Sequence, residues 1–174
     1  MMAESLITLA KPSLGMGAGL LAGIPEDLFA RFAEGRDGRL QANHPAWIIG
    51  HLAIYPHAAL SLLGDDPAAH DGAASDLWQS LFSRTSTCED DPAGTRYPPK
   101  DELVAAWTGE TTRLMERLVG VSDEALSAPQ PVERWKERMP RVYDSFAFLV
   151  GAHAMFHLGQ LSTWRRVAGL GRAG

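Results

Sequence analysis

The sequence has a single cysteine and no excess of positive charge. Because Cys88 is alone, the chain cannot form an internal disulfide, and we expect it to fold in the reducing cytoplasm. A zinc site built on cysteine pairs is excluded for the same reason. The formal net charge is −5, whereas nucleic-acid-binding proteins usually present a basic surface. We therefore predict no nucleic-acid partner. Arg165, Arg166 and Arg172 form a short basic cluster near the C-terminus, which we interpret as a solvated helix end.

The sequence also shows no apolar run long enough to span a membrane. We find no run that reaches the roughly 20 residues that a bilayer-crossing helix needs. The opening residues lack the basic region and cleavage site of a signal peptide. The chain has 174 residues, of which 45% are hydrophobic, and it can therefore bury a core without disulfides. These features predict one domain over residues 1–174 and no membrane partner.

Several catalytic motifs are absent as well. The sequence contains neither a Gly-x-Ser-x-Gly motif nor a phosphate-binding glycine loop. Ala154 and Met155 follow His153, so the His-Glu-x-x-His motif of zinc proteases is missing. No Glu-x-x-His pair occurs, which argues against a di-iron centre of the ferritin type.

Helical periodicity dominates the pattern that is present. Helices are predicted over residues 5–23, 45–63, 74–83, 99–118 and 142–167. Pro12 is expected in the first turn of a helix, and the glycines around it would let a neighbouring helix approach closely. Pro56 is expected to kink the second helix. Because no stretch alternates with a period of two, the predicted fold is an all-α antiparallel four-helix bundle with short extra helices.

Two predicted loops are longer than ordinary connections. They cover residues 84–98 and 127–141, and loops of this length are usually functional or disordered. The second loop carries Trp135 among charged residues, which suits a lid or the rim of a pocket. A solvated loop with one anchoring tryptophan fits the same pattern.

Two histidines lie one helical turn apart in the last predicted helix. His153 and His157 can point at one spot beside the helix, because residues four apart differ by about 40° in direction. Such a pair also arises from hydrogen bonding within a core. The predicted inner stripe of this helix consists of Phe146, Leu149, His153, Phe156 or His157, Gln160 and Trp164.

A third histidine strengthens the case for a metal. His51 lies on the apolar stripe of the second predicted helix and also faces the bundle core. Three buried imidazoles are costly unless they share a ligand, and neutral imidazole binds zinc, nickel or iron. Three protein ligands would leave one coordination position open, as in catalytic sites. We predict that His51, His153 and His157 bind one divalent metal ion.

The other histidines are predicted to be structural. His44 precedes the second helix, where capping it or lining a rim is expected, and His57 should point away from the cluster. His70 is expected in a solvated loop. Gln160 lies near the face of His157, where it is expected either to support the ligand or to form an ordinary hydrogen bond in the bundle.

Two segments resemble signatures of a known family. Residues 43–53 (NHPAWIIGHLA) and 153–161 (HAMFHLGQL) are similar to the second-helix and last-helix signatures of the DinB/YfiT-like superfamily of metal-dependent enzymes. The resemblance implies a four-helix bundle of the DinB type. It also implies a metal held by one histidine of the second helix and two of the last helix, which correspond to His51, His153 and His157.

The resemblance implies less about the reaction. Some members resemble transferases and isomerases that use a low-molecular-weight thiol, mycothiol or bacillithiol, as co-substrate, and others are described only as metal-dependent hydrolases. The sequence shows no general base. We expect a thiol-dependent S-transferase or related enzyme acting on a small electrophile. A non-catalytic metal-binding or structural bundle, with a role in a stress response, is the alternative. A homodimer formed by helix packing is expected from the glycine-rich first segment.

Overall fold

The computed structural model describes residues 1–36, 38–65 and 75–173 of the chain. The helices are α1 (Met2–Leu21), α2 (Glu26–Phe29), α3 (Pro45–Leu60), α4 (Asp76–Phe82), α5 (Lys100–Leu118), α6 (Asp123–Ser127), α7 (Val142–Ala147) and α8 (Ala154–Val167). A 3-10 turn at Ser61–Leu63 extends α3, and a π-helical segment at Phe148–His153 joins α7 to α8. The strands β1 (Glu34–Gly35) and β2 (Gly38–Arg39) pair as a short antiparallel hairpin.

The long helices pack against one another as a bundle. Helix α3 contacts α5 and α8, and α1 contacts the same two helices from the other side. The predicted all-α class is confirmed, and each of the five predicted segments contains a helix. His70, which was expected in a solvated loop, lies outside the described residues.

Helix α3 is the central helix of the bundle. Fourteen of its sixteen residues are buried, so it has no solvated face, and the single apolar stripe predicted for it is too narrow. The helix also continues through Pro56 to Leu60. This all-round burial explains why the segment is so apolar.

The same segment comes close to the roughly 20 apolar residues that a bilayer-crossing helix needs. Pro45–Leu63 is 19 residues long, and its most apolar 18-residue window has a mean hydropathy of 1.4. By length and composition alone it therefore passes as a span. Within the protein, however, 72% of that window is buried, and the core helix of a globular bundle has the same composition.

Helix α1 differs from the prediction in the position of Pro12 and in the role of its glycines. Pro12 lies inside the helix, which begins ten residues earlier at Met2, and not in its first turn. Close helix approach occurs at Gly17, where an added Cβ would lie 2.1 Å from the Trp107 ring. At Gly15 an added Cβ would meet open space. The glycines of this segment therefore do not all serve helix packing.

His44 begins α3 and is fully buried, which confirms the predicted capping role. Its Nδ1 accepts a hydrogen bond from the Trp47 backbone N–H at 3.2 Å, and its Nε2–H donates to the Glu89 carbonyl oxygen at 2.9 Å. Both bonds require the neutral ring with its proton on Nε2. Burial lowers the pKa of His44 to about 4, since a charged ring would lose its hydration.

We predict that the free energy of unfolding falls as the pH is lowered from about 6.5 to about 4. Unfolded His44 takes up a proton near its ordinary pKa of about 6.5, whereas the native ring does so only near pH 4. Between these values the unfolded state binds more protons, so acid destabilises the fold, by about 1–3 kcal/mol. Urea unfolding at a series of pH values, with a chelator present, measures the slope.

The matched variant for this prediction is His44→Asn. Asparagine keeps a side-chain acceptor at the helix N-terminus but does not titrate in this range. The variant should therefore show a shallower slope than the wild-type protein between pH 6.5 and 4. An unchanged slope would show that His44 is not the responsible group.

Arg165 ties the end of α1 to α8. The sequence places it in a basic cluster expected to be a solvated helix end, but its side chain is buried. Its Nη1 donates to the carbonyl oxygens of Leu20 at 2.7 Å and Ala22 at 2.6 Å, and its Nη2 donates to that of Leu170 at 3.3 Å. The guanidinium thus satisfies carbonyl groups that the helix end would leave without partners.

Arg165→Met should destabilise the protein by about 2–4 kcal/mol, because it leaves these buried carbonyl groups without a donor while keeping most of the side-chain volume. Arg166→Met is the matched control. Arg166 is exposed and bonds within its own helix, so its loss should change stability by less than about 0.5 kcal/mol. Urea unfolding compares the two variants, and equal effects would contradict the role of Arg165.

Candidate metal centre

Three histidines from two helices meet at one point in the bundle. His51 comes from α3, His157 comes from α8, and His153 is the last residue of the π-helical segment. The Nε2 atoms of His51 and His153 are 3.2 Å apart, and one ring nitrogen from each of the three residues lies within 4.8 Å of the other two. The structure thus brings together the three residues that the sequence singled out.

The orientation of His51 depends on a glycine beside it. Its Nδ1–H donates to the Phe82 carbonyl oxygen at 2.6 Å, which leaves the Nε2 lone pair facing the other two histidines. Phe82 reaches this position because Gly50 has no side chain. A Cβ at Gly50 would lie 2.4 Å from the Phe82 ring.

His157 is oriented by a residue on its own helix. Its Nδ1–H donates to Gln160 Oε1 at 2.9 Å, so its Nε2 is also unprotonated in the neutral ring. The sequence placed Gln160 near this face, and the hydrogen bond explains why an amide lies there. A partner of this kind fixes the tautomer and the ring orientation of a metal-binding histidine.

His153 occupies an irregular part of the last helix. Residues 142–167 were predicted as one continuous α-helix, but the π-helical segment interrupts it at Phe148–His153, a feature often found at functional sites. Within the described residues, the buried Nδ1 of His153 has no hydrogen-bond partner. Phe156, predicted as an alternative to His157 on the inner stripe, points outward and is 65% exposed.

The three rings fit a divalent metal ion chemically. Burial lowers the pKa of His51 to about 4, that of His153 to about 3, and also that of His157. All three are therefore neutral near pH 7, the form in which imidazole binds metals. In a tetrahedral site with metal–nitrogen bonds of about 2.1 Å, the ligand nitrogens are about 3.4 Å apart. The 3.2 Å between the Nε2 atoms of His51 and His153 is close to that value, and the third ring nitrogen lies within 4.8 Å of both ligand atoms.

Aromatic side chains enclose the cluster. The Trp47 ring stacks on His51, with centroids 4.4 Å apart and planes 17° from parallel. Tyr55 meets His51 and His153 edge-on at 4.8 and 4.7 Å, and Phe148 lies 5.6 Å from His153. These contacts restrict the rotation of the rings and keep water from their sides.

A cavity of about 380 Å³ opens beside the three histidines. Its other lining residues are Trp47, Tyr55, Arg84, Arg134, Trp135, Met139, Phe148 and Leu149. The size suits a small molecule. The lining contains no carboxylate and no thiol, so the general base that the sequence lacks is also missing from the described walls of this cavity.

The first long loop, residues 84–98, is anchored to the start of α3. Trp47 Nε1–H donates to Ser86 Oγ at 3.0 Å, and the Glu89 carbonyl oxygen accepts from His44. Within the loop, the Asp91 carboxylate accepts from three backbone N–H groups of residues 95–97. The loop is therefore ordered by its own polar groups, and Arg84 at its start lies at the cavity.

The second long loop, residues 127–141, is closed at its base. Backbone pairing between Pro129 and Arg141 joins its two ends, and the buried Gln130 side chain bonds to Ser145 on α7. The loop contains a 3-10 turn at Glu133–Trp135. Trp135 lines the cavity, which agrees with the pocket-rim interpretation of this loop.

Two arginines bring positive charge to the cavity. Arg84 and Arg134 belong to different loops, and both lower the pKa of the Tyr55 hydroxyl, although burial has the larger effect and raises it. Tyr55 therefore stays protonated at neutral pH and can donate a hydrogen bond into the cavity. The sequence analysis identified neither Tyr55 nor Arg84 as a cavity residue, because no local motif marks either one.

The remaining titratable candidates lie away from the cluster. His57 is buried against Glu110 of α5, with its Nδ1 3.5 Å from a carboxylate oxygen, so it points away from the three histidines as predicted. Cys88 is half-buried, and burial raises the pKa of its thiol to about 12. Neither residue lines the cavity beside the histidines.

Comparison with known proteins gives one family. A sequence model of the DinB superfamily matches residues 18–161, a range that includes the three clustered histidines. No curated protein matches the chain significantly, and no solved structure does so either.

Proposed function

The chain belongs to the DinB superfamily, and we propose that it is a metal-dependent enzyme whose His51, His153 and His157 hold one divalent ion. The observation that carries the proposal is the convergence of three neutral imidazoles, two buried and one partly buried, in the lining of a cavity. Nitrogen ligands of this kind suit zinc, nickel or iron. Three protein ligands would leave a coordination position for water or a substrate.

Such an ion supplies Lewis acidity, which lowers the pKa of a water or thiol at its open position and so provides a nucleophile near neutral pH. The chain's own residues have supporting tasks. Gln160 and the Phe82 carbonyl hold the protons of His157 and His51 on Nδ1, away from the centre. The aromatic walls exclude bulk water, which strengthens electrostatic interactions inside.

We propose further that the reaction is thiol-dependent transfer to a small electrophile, or a related activity. The cavity lining has no nucleophilic side chain of its own, and the raised pKa of Cys88 keeps that thiol protonated. The attacking group therefore has to enter with the reactants, as a low-molecular-weight thiol or as water. A cavity of about 380 Å³ accommodates small molecules and not a macromolecule.

The alternative is a bundle that binds metal without catalysis. The observation in its favour is the lack of a carboxylate base or acid in the cavity lining. The protonated Tyr55 hydroxyl and two arginines are the polar groups available there, and they can hydrogen-bond to a substrate but cannot accept a proton from one. The homodimer expected from the sequence stays a prediction.

We predict that the purified protein binds one zinc, nickel or iron ion per chain and that His153→Ala weakens binding by at least about a hundredfold. Loss of a ligand should cost no less than loss of a residue that orients one, which is typically 10–100-fold. Elemental analysis after dialysis gives the stoichiometry, and competition with a chromophoric chelator gives the affinity.

His57→Gln is the matched control for metal binding, since it removes a buried histidine that lies against Glu110 and outside the cluster. Its metal content should equal that of the wild-type protein. If the wild-type protein binds no ion, or if His153→Ala keeps its affinity, the three histidines are not a metal site.

The enzyme and the non-catalytic bundle predict different results for one variant. If the metal is catalytic, His153→Ala should abolish turnover while lowering the stability of the metal-free protein by less than about 2 kcal/mol, because the apolar core remains. The assay is a screen of the metal-loaded protein with bacillithiol, mycothiol and glutathione against a panel of electrophiles, run beside thermal melts. A large loss of stability with no thiol- or water-dependent activity in the wild-type protein would favour the structural alternative.

A further inference from the structure

The cavity at the histidines borders a second one. Tyr55, Arg84, Arg134 and Trp135 line both the cavity beside the histidines and an adjacent cavity of about 260 Å³. The second cavity extends along α3 and the end of α4. These four side chains therefore lie at the junction of the two cavities.

Six of the thirteen arginines of the chain form ion pairs within the described residues, and the two at this junction do not. Neither Arg84 nor Arg134 has a carboxylate within ion-pair distance in the described parts of the chain. The arginines that do form ion pairs there are Arg31, Arg39, Arg96, Arg113, Arg117 and Arg141.

The positions of the two side chains suit a ligand. The Arg134 guanidinium lies 5.4 Å from the centre of the Trp135 ring, a cation–π contact that favours its place at the rim. Arg84 follows α4 at the start of a loop anchored to α3 by the Trp47–Ser86 hydrogen bond. The junction therefore presents two positive charges from two loops, and none of the residues lining these two cavities is acidic. Glu137 lines a third cavity, which shares Arg84, Arg134 and Trp135 with them and also contains Arg138.

We propose that Arg84 and Arg134 bind an anionic group, a carboxylate above all, on the small molecule that reacts at the three histidines. This inference rests on the proposed function and adds the substrate class to it. The carboxylate belongs either to the electrophile or to the thiol co-substrate, since both are drawn to the same two cations.

The chemistry of arginine supports this assignment. A guanidinium presents paired N–H donors that match the two oxygens of a carboxylate, and charge-assisted bonds of this kind are stronger than neutral ones. The Tyr55 hydroxyl makes no hydrogen bond within the described residues and can add a further donor at the same place. When the carboxylate is bound by these arginines, the rest of the ligand can extend into the cavity beside the histidines.

The test measures binding and does not depend on turnover. Succinate stands for a carboxylate-bearing electrophile, and S-methylglutathione stands for a carboxylate-bearing thiol without a reactive sulfur. Each is titrated by calorimetry into the metal-loaded protein, in parallel with its uncharged ester, dimethyl succinate or S-methylglutathione diethyl ester. We expect at least one acid to bind at least about tenfold more tightly than its ester, and the affinity to fall with added salt.

The variants are Arg84→Gln, Arg134→Gln and the double variant. Each single change should weaken binding of the acid by about tenfold, and the double change should bring it to the level of the ester. Arg36→Gln is the matched control, because Arg36 is exposed and lines neither cavity, and it should bind like the wild-type protein. The arginine variants should melt at the same temperature as the wild-type protein, since Arg84 and Arg134 are both exposed.

The outcomes separate this inference from the metal proposal. Loss of acid binding in the double variant with full metal content supports the arginine site, and the acid that shows the effect identifies the source of the carboxylate. Equal binding of acid and ester, or acid binding that the double variant keeps, overturns the inference. Acid binding that disappears on chelation but is unaffected by the arginine changes also overturns it. A protein that binds no metal but shows arginine-dependent acid binding would instead disprove the metal proposal alone.

Discussion

Three imidazole rings share one small buried volume, and a buried ring nitrogen needs a partner because it has lost its hydrogen bonds to water. The surrounding structure supplies partners from outside the cluster for two of the rings. The Phe82 carbonyl accepts from His51 and the Gln160 side chain accepts from His157. One nitrogen of each ring lies within 4.8 Å of the other two, so a single divalent ion can serve all three rings, and α3, α4 and α8 are constrained together by that geometry.

Local departures from regular packing occur beside this cluster. Gly50 lets the Phe82 ring lie directly against α3, and a larger residue there would displace the carbonyl that orients His51. The π-helical segment ends at His153. Because a π-helix has more residues per turn than an α-helix, it turns the side chains before it relative to those after it. Both features cost stability elsewhere in proteins, and here they occur where a site has to be positioned.

The sequence predicted the histidines because their signal is local. His153 and His157 are one turn apart, and His51 is a polar residue in an otherwise apolar helix. Spacing and expected burial were therefore enough to identify the three residues from the sequence. The residues at the rim of the cavity were harder to predict. Arg84 and Arg134 are about fifty positions apart and become neighbours only through the anchoring of two loops. Arg165 was misassigned for the same reason, since its carbonyl partners lie at the end of α1, far away in sequence.

The helices carry the three histidines and the loops carry other residues of the cavity, and the two groups of residues differ in how precisely they have to be held. Ligands for a metal have to be held within a few tenths of an ångström, which packed helices can do because their side chains are fixed by many contacts. Recognition of a substrate tolerates more variation and is commonly carried by loops on a rigid scaffold. In this protein the three histidines come from the last helix and α3, whereas Arg84 and Trp135 come from the loops. Under the proposed function, changes in the two loops would alter which molecule enters without disturbing the cluster, as long as the hydrogen bonds that anchor each loop are kept.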